Sequence, residues 1–141
     1  MAILLHLSFR VKDPIRSAAL YAELLDGRVV DIGPPLDSIR VKGVYFGKSA
    51  ENELVDQIEL WPAGKHWAPG GFIEIDPRSA PFGHFAVESD KPWEEVAAIA
   101  ARHGVAITQE ERGLPYLVTV VYDHDGNFLE LFRPRPQRGA S

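Results

Sequence analysis

Apolar and polar residues alternate from Ile3 to Val11. Leu5, Leu7, Phe9 and Val11 fall on one side, His6, Ser8 and Arg10 on the other, which is the period of a half-buried strand. At Pro14 the period changes. Ile15, Ala18, Ala19, Tyr21 and Leu25 recur near one face, so a helix is predicted over Pro14–Leu25. Pro14 sits where its missing N–H does no harm, Asp13 is an N-cap candidate and Gly27 a C-cap candidate. Three short strands are predicted next, Arg28–Ile32, Ile39–Phe46 and Leu54–Trp61, parted by turn residues at Gly33-Pro34-Pro35 and Lys48–Asn52.

The same order then recurs. His84-Phe-Ala-Val-Glu-Ser-Asp-Lys-Pro92 repeats the plan of His6-Leu-Ser-Phe-Arg-Val-Lys-Asp-Pro14: a His opens an apolar run, and a Pro eight residues later opens a helix. The second helix is predicted over Pro92–Arg102, with Asp90 as the N-cap candidate, Trp93, Val96, Ala97 and Ala100 near one face, and Gly104 past the end. Strands are predicted at Val105–Gln109, Tyr116–Tyr122 and Asn127–Phe132, with turns at Gly113-Leu-Pro115 and Asp123–Gly126. The chain therefore reads strand–helix–three strands, twice: module one is 1–62 and module two is 82–133. Residues 63–81 join them as a Pro- and Gly-rich connecting loop, and 134–141 form a tail expected to be flexible. A module of 50–60 residues is marginal as an independent fold, so the two are expected to make one domain.

The polar faces carry the candidate chemistry. Ile58 and Leu60 oppose Gln57, Glu59 and Trp61. Phe85 and Val87 oppose His84, Ala86 and Glu88. Leu129 and Leu131 oppose Phe128, Glu130 and Phe132. One face of each strand is core. The other is polar and aromatic, which suits a concave site. Each module places a His on its first strand and a Glu on its last: His6 with Glu59, His84 with Glu130. Singly, a strand His or Glu is more often a surface residue. Repeated in step with the fold's own symmetry, two imidazoles and two carboxylates suit a divalent first-row metal. His103 at a helix end and His124 in a turn read as structural, and His66 in the connecting loop as a pocket or surface residue.

Composition narrows this further. The 141 residues are 45% hydrophobic and 25% charged, ordinary for one globular domain. There is no cysteine, so a disulfide scaffold, a thiolate metal site and a thiol nucleophile are excluded, and any metal must be held by nitrogen and oxygen. The net charge of -5 argues against a nucleic-acid partner. No apolar run approaches the ~20 residues of a membrane span. Met1–Leu7 lacks the features of a signal peptide, so a cytoplasmic location without a membrane partner is expected.

Four segments give the sequence a family likeness: His6-x-x-x-Arg10-Val-Lys-Asp-Pro14, Gln57-Ile-Glu59-Leu60, Phe82-Gly83-His84 and Asp123-His-Asp-Gly126-Asn-Phe-Leu-Glu130-Leu131. Over residues 3–133 the chain resembles the vicinal-oxygen-chelate superfamily, which includes glyoxalase I, extradiol dioxygenases and bleomycin and fosfomycin resistance proteins. The resemblance implies an α+β fold of two βαβββ modules whose cupped mixed sheet surrounds a divalent metal (Ni, Zn, Co, Mn or Fe). It implies His6, Glu59, His84 and Glu130 as metal ligands and a homodimer acting on a small molecule.

Within the superfamily the ligand types are most similar to those of bacterial glyoxalase I. That likeness implies a lyase or isomerase that shifts a proton through an enediolate, with Glu59 or Glu130 as the general base. It implies Arg10, and Arg78 in Asp76-Pro77-Arg78, as contacts for a substrate carboxylate, and Trp61, Phe128 and Phe132 as an apolar wall. The chain departs from glyoxalases in Trp61-Pro62-Ala63-Gly64 after Glu59, and in Gln109–Tyr116, which has no lysine. Two alternatives come from other classes. An extradiol Fe(II) dioxygenase usually has a tyrosine where this chain has Val121, with Tyr122 one residue off and on the other face, and is generally twice as long. A metal-free, ligand-sequestering resistance protein generally lacks the four ligands.

Overall fold

In the computed structural model, residues 2, 4–33, 40–48, 55–68, 71–74, 83–110 and 115–135 are described. They fall into two compact units, Met1–Pro81 and Phe82–Ser141. Among the described residues no helix is long and apolar enough to cross a membrane.

The first unit runs β1 (His6–Val11), α1 (Pro14–Leu25), β2 (Arg28–Asp31), β3 (Lys42–Tyr45) and β4 (Gln57–Pro62). These strands form a sheet in the order β1-β4-β3-β2, with β1 and β4 parallel and the other pairs antiparallel. Two parallel neighbours need a crossover between them, and the helix and two strands between β1 and β4 supply it. Asp13 caps α1: its Oδ1 accepts from the backbone N–H of Ile15 and of Arg16, both at 3.1 Å. The helix buries Ser17, Ala18, Leu20, Tyr21 and Leu24 against β2, β3 and β4. The expected apolar stripe is thus rotated: Ile15 is 59% exposed, and Leu20 and Leu24 take up the core contacts. The helix ends at Asp26, whose φ of 51° makes it the left-handed C-cap expected of Gly27. Gly27 is required for another reason. A Cβ there would lie 2.7 Å from the Tyr45 carbonyl oxygen, so only glycine lets β2 leave the helix this close to β3.

The connecting segment is not simply a loop, as the sequence suggested. It carries β5 (Lys65–Ala68) and β6 (Gly71–Glu74), an antiparallel pair in which Trp67 stands opposite Phe72. Gly and Pro in the segment mask the strand-forming run between them.

The second unit repeats the plan: β7 (His84–Glu88), α2 (Trp93–His103), β8 (Ile107–Glu110), β9 (Tyr116–Tyr122) and β10 (Phe128–Pro134). The sheet order is β7-β10-β9-β8, with β7 and β10 parallel. Gly104 is the left-handed C-cap of α2, as expected. Asp90 is not its N-cap. That place belongs to Pro92, which contributes no side-chain hydrogen bond; Glu94 and Glu95 in the first turn supply the negative charge that a helix N-terminus favours. Val96, Ile99 and Ala100 are the buried face of the helix, and Val118, Val120, Val121, Leu129 and Leu131 are buried on β9 and β10. Both units thus have the predicted α+β order of strand, helix and three strands.

Candidate metal centre

In the first unit β1 and β4 lie side by side in parallel register, and parallel partners share a face. His6 stands opposite Gln57, Ser8 opposite Glu59 and Arg10 opposite Trp61. Phe9, Val11, Ile58 and Leu60, on the other face, are buried. The polar face is tightly knit. Nε2 of His6 lies 3.8 Å from Oε2 of Glu59. The Trp61 indole N–H donates to the same oxygen at 3.1 Å, and the Ser8 hydroxyl makes a longer contact of 3.5 Å. The guanidinium of Arg10 lies over the Trp61 ring, 5.3 Å from its centroid, a cation–π distance. Burial lowers the pKa of Arg10, but an arginine so shifted still carries its charge. Nε2 of Gln57 is buried and, among the described residues, meets no hydrogen-bond partner.

The Glu59 side chain is only 17% exposed, whereas His6 is 46% exposed. A shielded carboxylate needs compensating donors or a cation, and the indole and the imidazole are the groups placed to meet it. A first-row divalent ion sits about 2.0–2.2 Å from nitrogen or oxygen, so one ion can bridge two donors that are 3.8 Å apart. The donor types and the spacing of this pair therefore fit a metal.

The second unit repeats the register. His84 stands opposite Phe128 and Ala86 opposite Glu130, so Glu130 is offset from His84 just as Glu59 is offset from His6. The surroundings differ. His84 stacks on Phe128 with ring centroids 4.6 Å apart and planes 7° from parallel. Tyr122 leans on the same ring at 5.9 Å, and Phe132 meets Tyr116 edge-on at 5.8 Å. The first unit surrounds its carboxylate with donors; the second sets its histidine among aromatic rings. Among the described residues no three His, Asp or Glu side chains come together as a ready-made metal site.

Backbone around His84 is fixed from the β9–β10 turn. Asp123 Oδ1 accepts from the N–H of Asp125 at 2.8 Å and of Asn127 at 2.9 Å, and Oδ2 accepts from the Asn127 amide at 3.1 Å. Asn127 Oδ1 in turn accepts from the N–H of Gly83 at 2.8 Å. Asn127 is 3% exposed, and it ties the turn to the residue before His84. Sequence reasoning missed this link, although Asp123-His-Asp-Gly126-Asn127 stood in plain view as a turn.

Other expectations fare differently. Arg78 and the side chain of His66 lie outside the described residues. His124 is structural as expected, since its Nε2 lies 2.7 Å from the His103 carbonyl oxygen at the end of α2. Trp61 belongs to the polar face, but it is 8% exposed and turns its N–H to Glu59, so it is more than an apolar wall. Tyr122 shares the face of His84 and Phe128, while Val121 points to the core at 1% exposure.

The sequence model of the Glyoxalase/Bleomycin resistance protein/Dioxygenase superfamily matches residues 3–131. The chain belongs to this superfamily. The match runs through both units and includes all four candidate ligands. Solved structures are similar across nearly the whole chain. A glyoxylase/bleomycin resistance protein/dioxygenase domain from Frankia sp. EAN1pec is 22% identical with a TM-score of 0.60, covering 98% of this chain and 96% of that one. The fosfomycin resistance protein FosX from Mesorhizobium loti is 17% identical with a TM-score of 0.62, covering 100% and 99%. Lactoylglutathione lyase from Agrobacterium tumefaciens is 14% identical with a TM-score of 0.62, covering 94% and 92%. At these identities the likeness establishes the fold alone, and one fold hosts many chemistries. Among curated proteins no sequence matches the chain.

Proposed function

We propose that the chain is a divalent-metal-dependent, glyoxalase I-like lyase or isomerase, with His6, Glu59, His84 and Glu130 as its four metal ligands. The observation that carries this reading is the repeated register: in both units a His on the first strand and a Glu on the last occupy the same offset positions of a parallel pair. The 3.8 Å separation of His6 and Glu59 supports it. The donor set accepts nickel, zinc, cobalt, manganese or iron. When bound, such an ion supplies Lewis acidity toward two vicinal oxygens of a small substrate.

The chain's own residues supply the rest. Glu59 or Glu130 takes the proton from the carbon beside the carbonyl and returns it to the adjoining carbon. Arg10, held over Trp61, presents a fixed positive charge for an anionic group of the substrate. Phe128 and Phe132 add aromatic surface on the strand face of Glu130, which favours exclusion of water from the reaction. A homodimer in the cytoplasm is the setting this reading implies. The Agrobacterium lactoylglutathione lyase performs chemistry of this class by its name, and it shares the fold.

The test is an assay with the hemithioacetal of a 2-oxoaldehyde and a thiol, after loading with each of the five metals in turn. Isomerisation is expected with at least one metal, and both Glu59→Ala and Glu130→Ala should reduce it at least a hundredfold, the scale of lost general-base catalysis. Full activity in either variant would remove that carboxylate from the mechanism. Ring cleavage of a catechol by the iron-loaded protein would instead mark a dioxygenase, and ligand capture without metal a sequestering protein.

A further inference from the structure

The two carboxylates of the repeat have different neighbours at two corresponding positions. Glu59 receives the Trp61 N–H at 3.1 Å on Oε2, the oxygen nearest to His6. Trp61 lies two residues along the same strand, so both side chains emerge from one face of β4. The indole cannot swing freely: it is 8% exposed, and the Arg10 guanidinium lies over its face. In the second unit the position two residues beyond Glu130 is Phe132, which has no N–H to give, and the position opposite is Ala86 where the first unit has Ser8.

We propose that Trp61 is a positioning residue for the candidate metal centre: its indole N–H, braced by Arg10, fixes the rotamer in which the Glu59 carboxylate meets His6. This rests on the metal-ligand reading of Glu59 and His6 and adds a role that the apolar wall does not include. The physical reason is preorganisation. A glutamate has three side-chain torsions to immobilise when it binds an ion, and a donor already gripping one oxygen removes much of that loss. Hydrogen-bonded partners of metal-binding carboxylates and imidazoles typically contribute 10–100-fold to metal affinity.

The experiment is a titration of the metal-free, full-length protein with Co²⁺, reading both affinity and the visible absorption of the bound ion. Trp61→Phe keeps a ring for Arg10 and the packing of β4 but removes the N–H. Its affinity for Co²⁺ should fall about tenfold or more, with a shifted absorption band that reports altered coordination, while its melting temperature stays close to wild type. Ser8→Ala, which removes the longer contact, should have the smaller effect. If Trp61→Phe fails to fold, benzothienylalanine at position 61, an isostere with sulfur in place of N–H, gives the same reading. Wild-type affinity and an unchanged band in a folded variant would overturn the role of Trp61 while leaving the ligand assignment intact. If wild type binds no Co²⁺, the ligand assignment fails and the proposal fails with it.

Discussion

Arg10 is the residue where charge, burial and position are most closely joined. It lies on β1 opposite Trp61, half-buried, with its guanidinium over the indole. A cation held in this way loses little further entropy when it meets an anion, which is why it is assigned to the substrate rather than to bulk solvent. Arg10→Met retains most of the aliphatic stem and removes the charge. It should raise the KM of a carboxylate-bearing substrate about tenfold or more, the size of a lost charged hydrogen bond. An unchanged KM would take Arg10 out of substrate binding. That Arg10, Ser8 and His6 share a face was legible in the sequence, because a strand's period of two allows no other arrangement. The hydrogen bond from Trp61 to Glu59 was not. Alternation assigns a face, but the direction of an indole on that face depends on its rotamer and neighbours.

The elements were read mostly from their punctuation. Helix α1 is Pro14–Leu25 in both sequence and structure, because Asp13 and Pro14 leave little choice of start. Asp13→Ala should cost about 1 kcal/mol in urea unfolding, the usual worth of an N-cap. The same reasoning failed for Asp90, where Pro92 occupies the cap and charge at Glu94 and Glu95 takes over. It failed for Gly27 because Asp26 tolerates the left-handed turn, leaving glycine to serve the close approach to Tyr45. The β5–β6 pair was hidden by composition. Asn127 links three elements: the β9–β10 turn, the start of β10 and the residue before β7. Asn127→Ala leaves the Gly83 N–H without this acceptor. It should cost about 1–3 kcal/mol in urea unfolding, the penalty for stranding a buried polar group. A loss below about 0.5 kcal/mol, the range of an ordinary surface change, would show that solvent replaces the link.

At the scale of the whole chain, one repeat explains most of what is seen. Strand, helix and three strands occur twice, with the same sheet order and the same parallel pair at the edge. This was legible because both copies kept the His, the Pro eight residues on, and the Glu of the last strand. On the proposed metal reading cysteine is dispensable, because the repeat itself offers two histidines and two glutamates as donors. The copies diverge around their candidate ligands, with Trp61 and Ser8 in one unit where the other has Phe132 and Ala86.

The repeat acquires functional meaning only if all four ligands are needed. Elemental analysis of the purified protein, after exposure to nickel, zinc, cobalt, manganese and iron, tests this most directly. Wild type should retain stoichiometric divalent metal through dialysis. His6→Ala, Glu59→Ala, His84→Ala and Glu130→Ala should each lose most of it while keeping the wild-type circular dichroism. A wild-type protein that retains no metal, or four variants that all retain it, would contradict the assignment of the repeat to a metal centre.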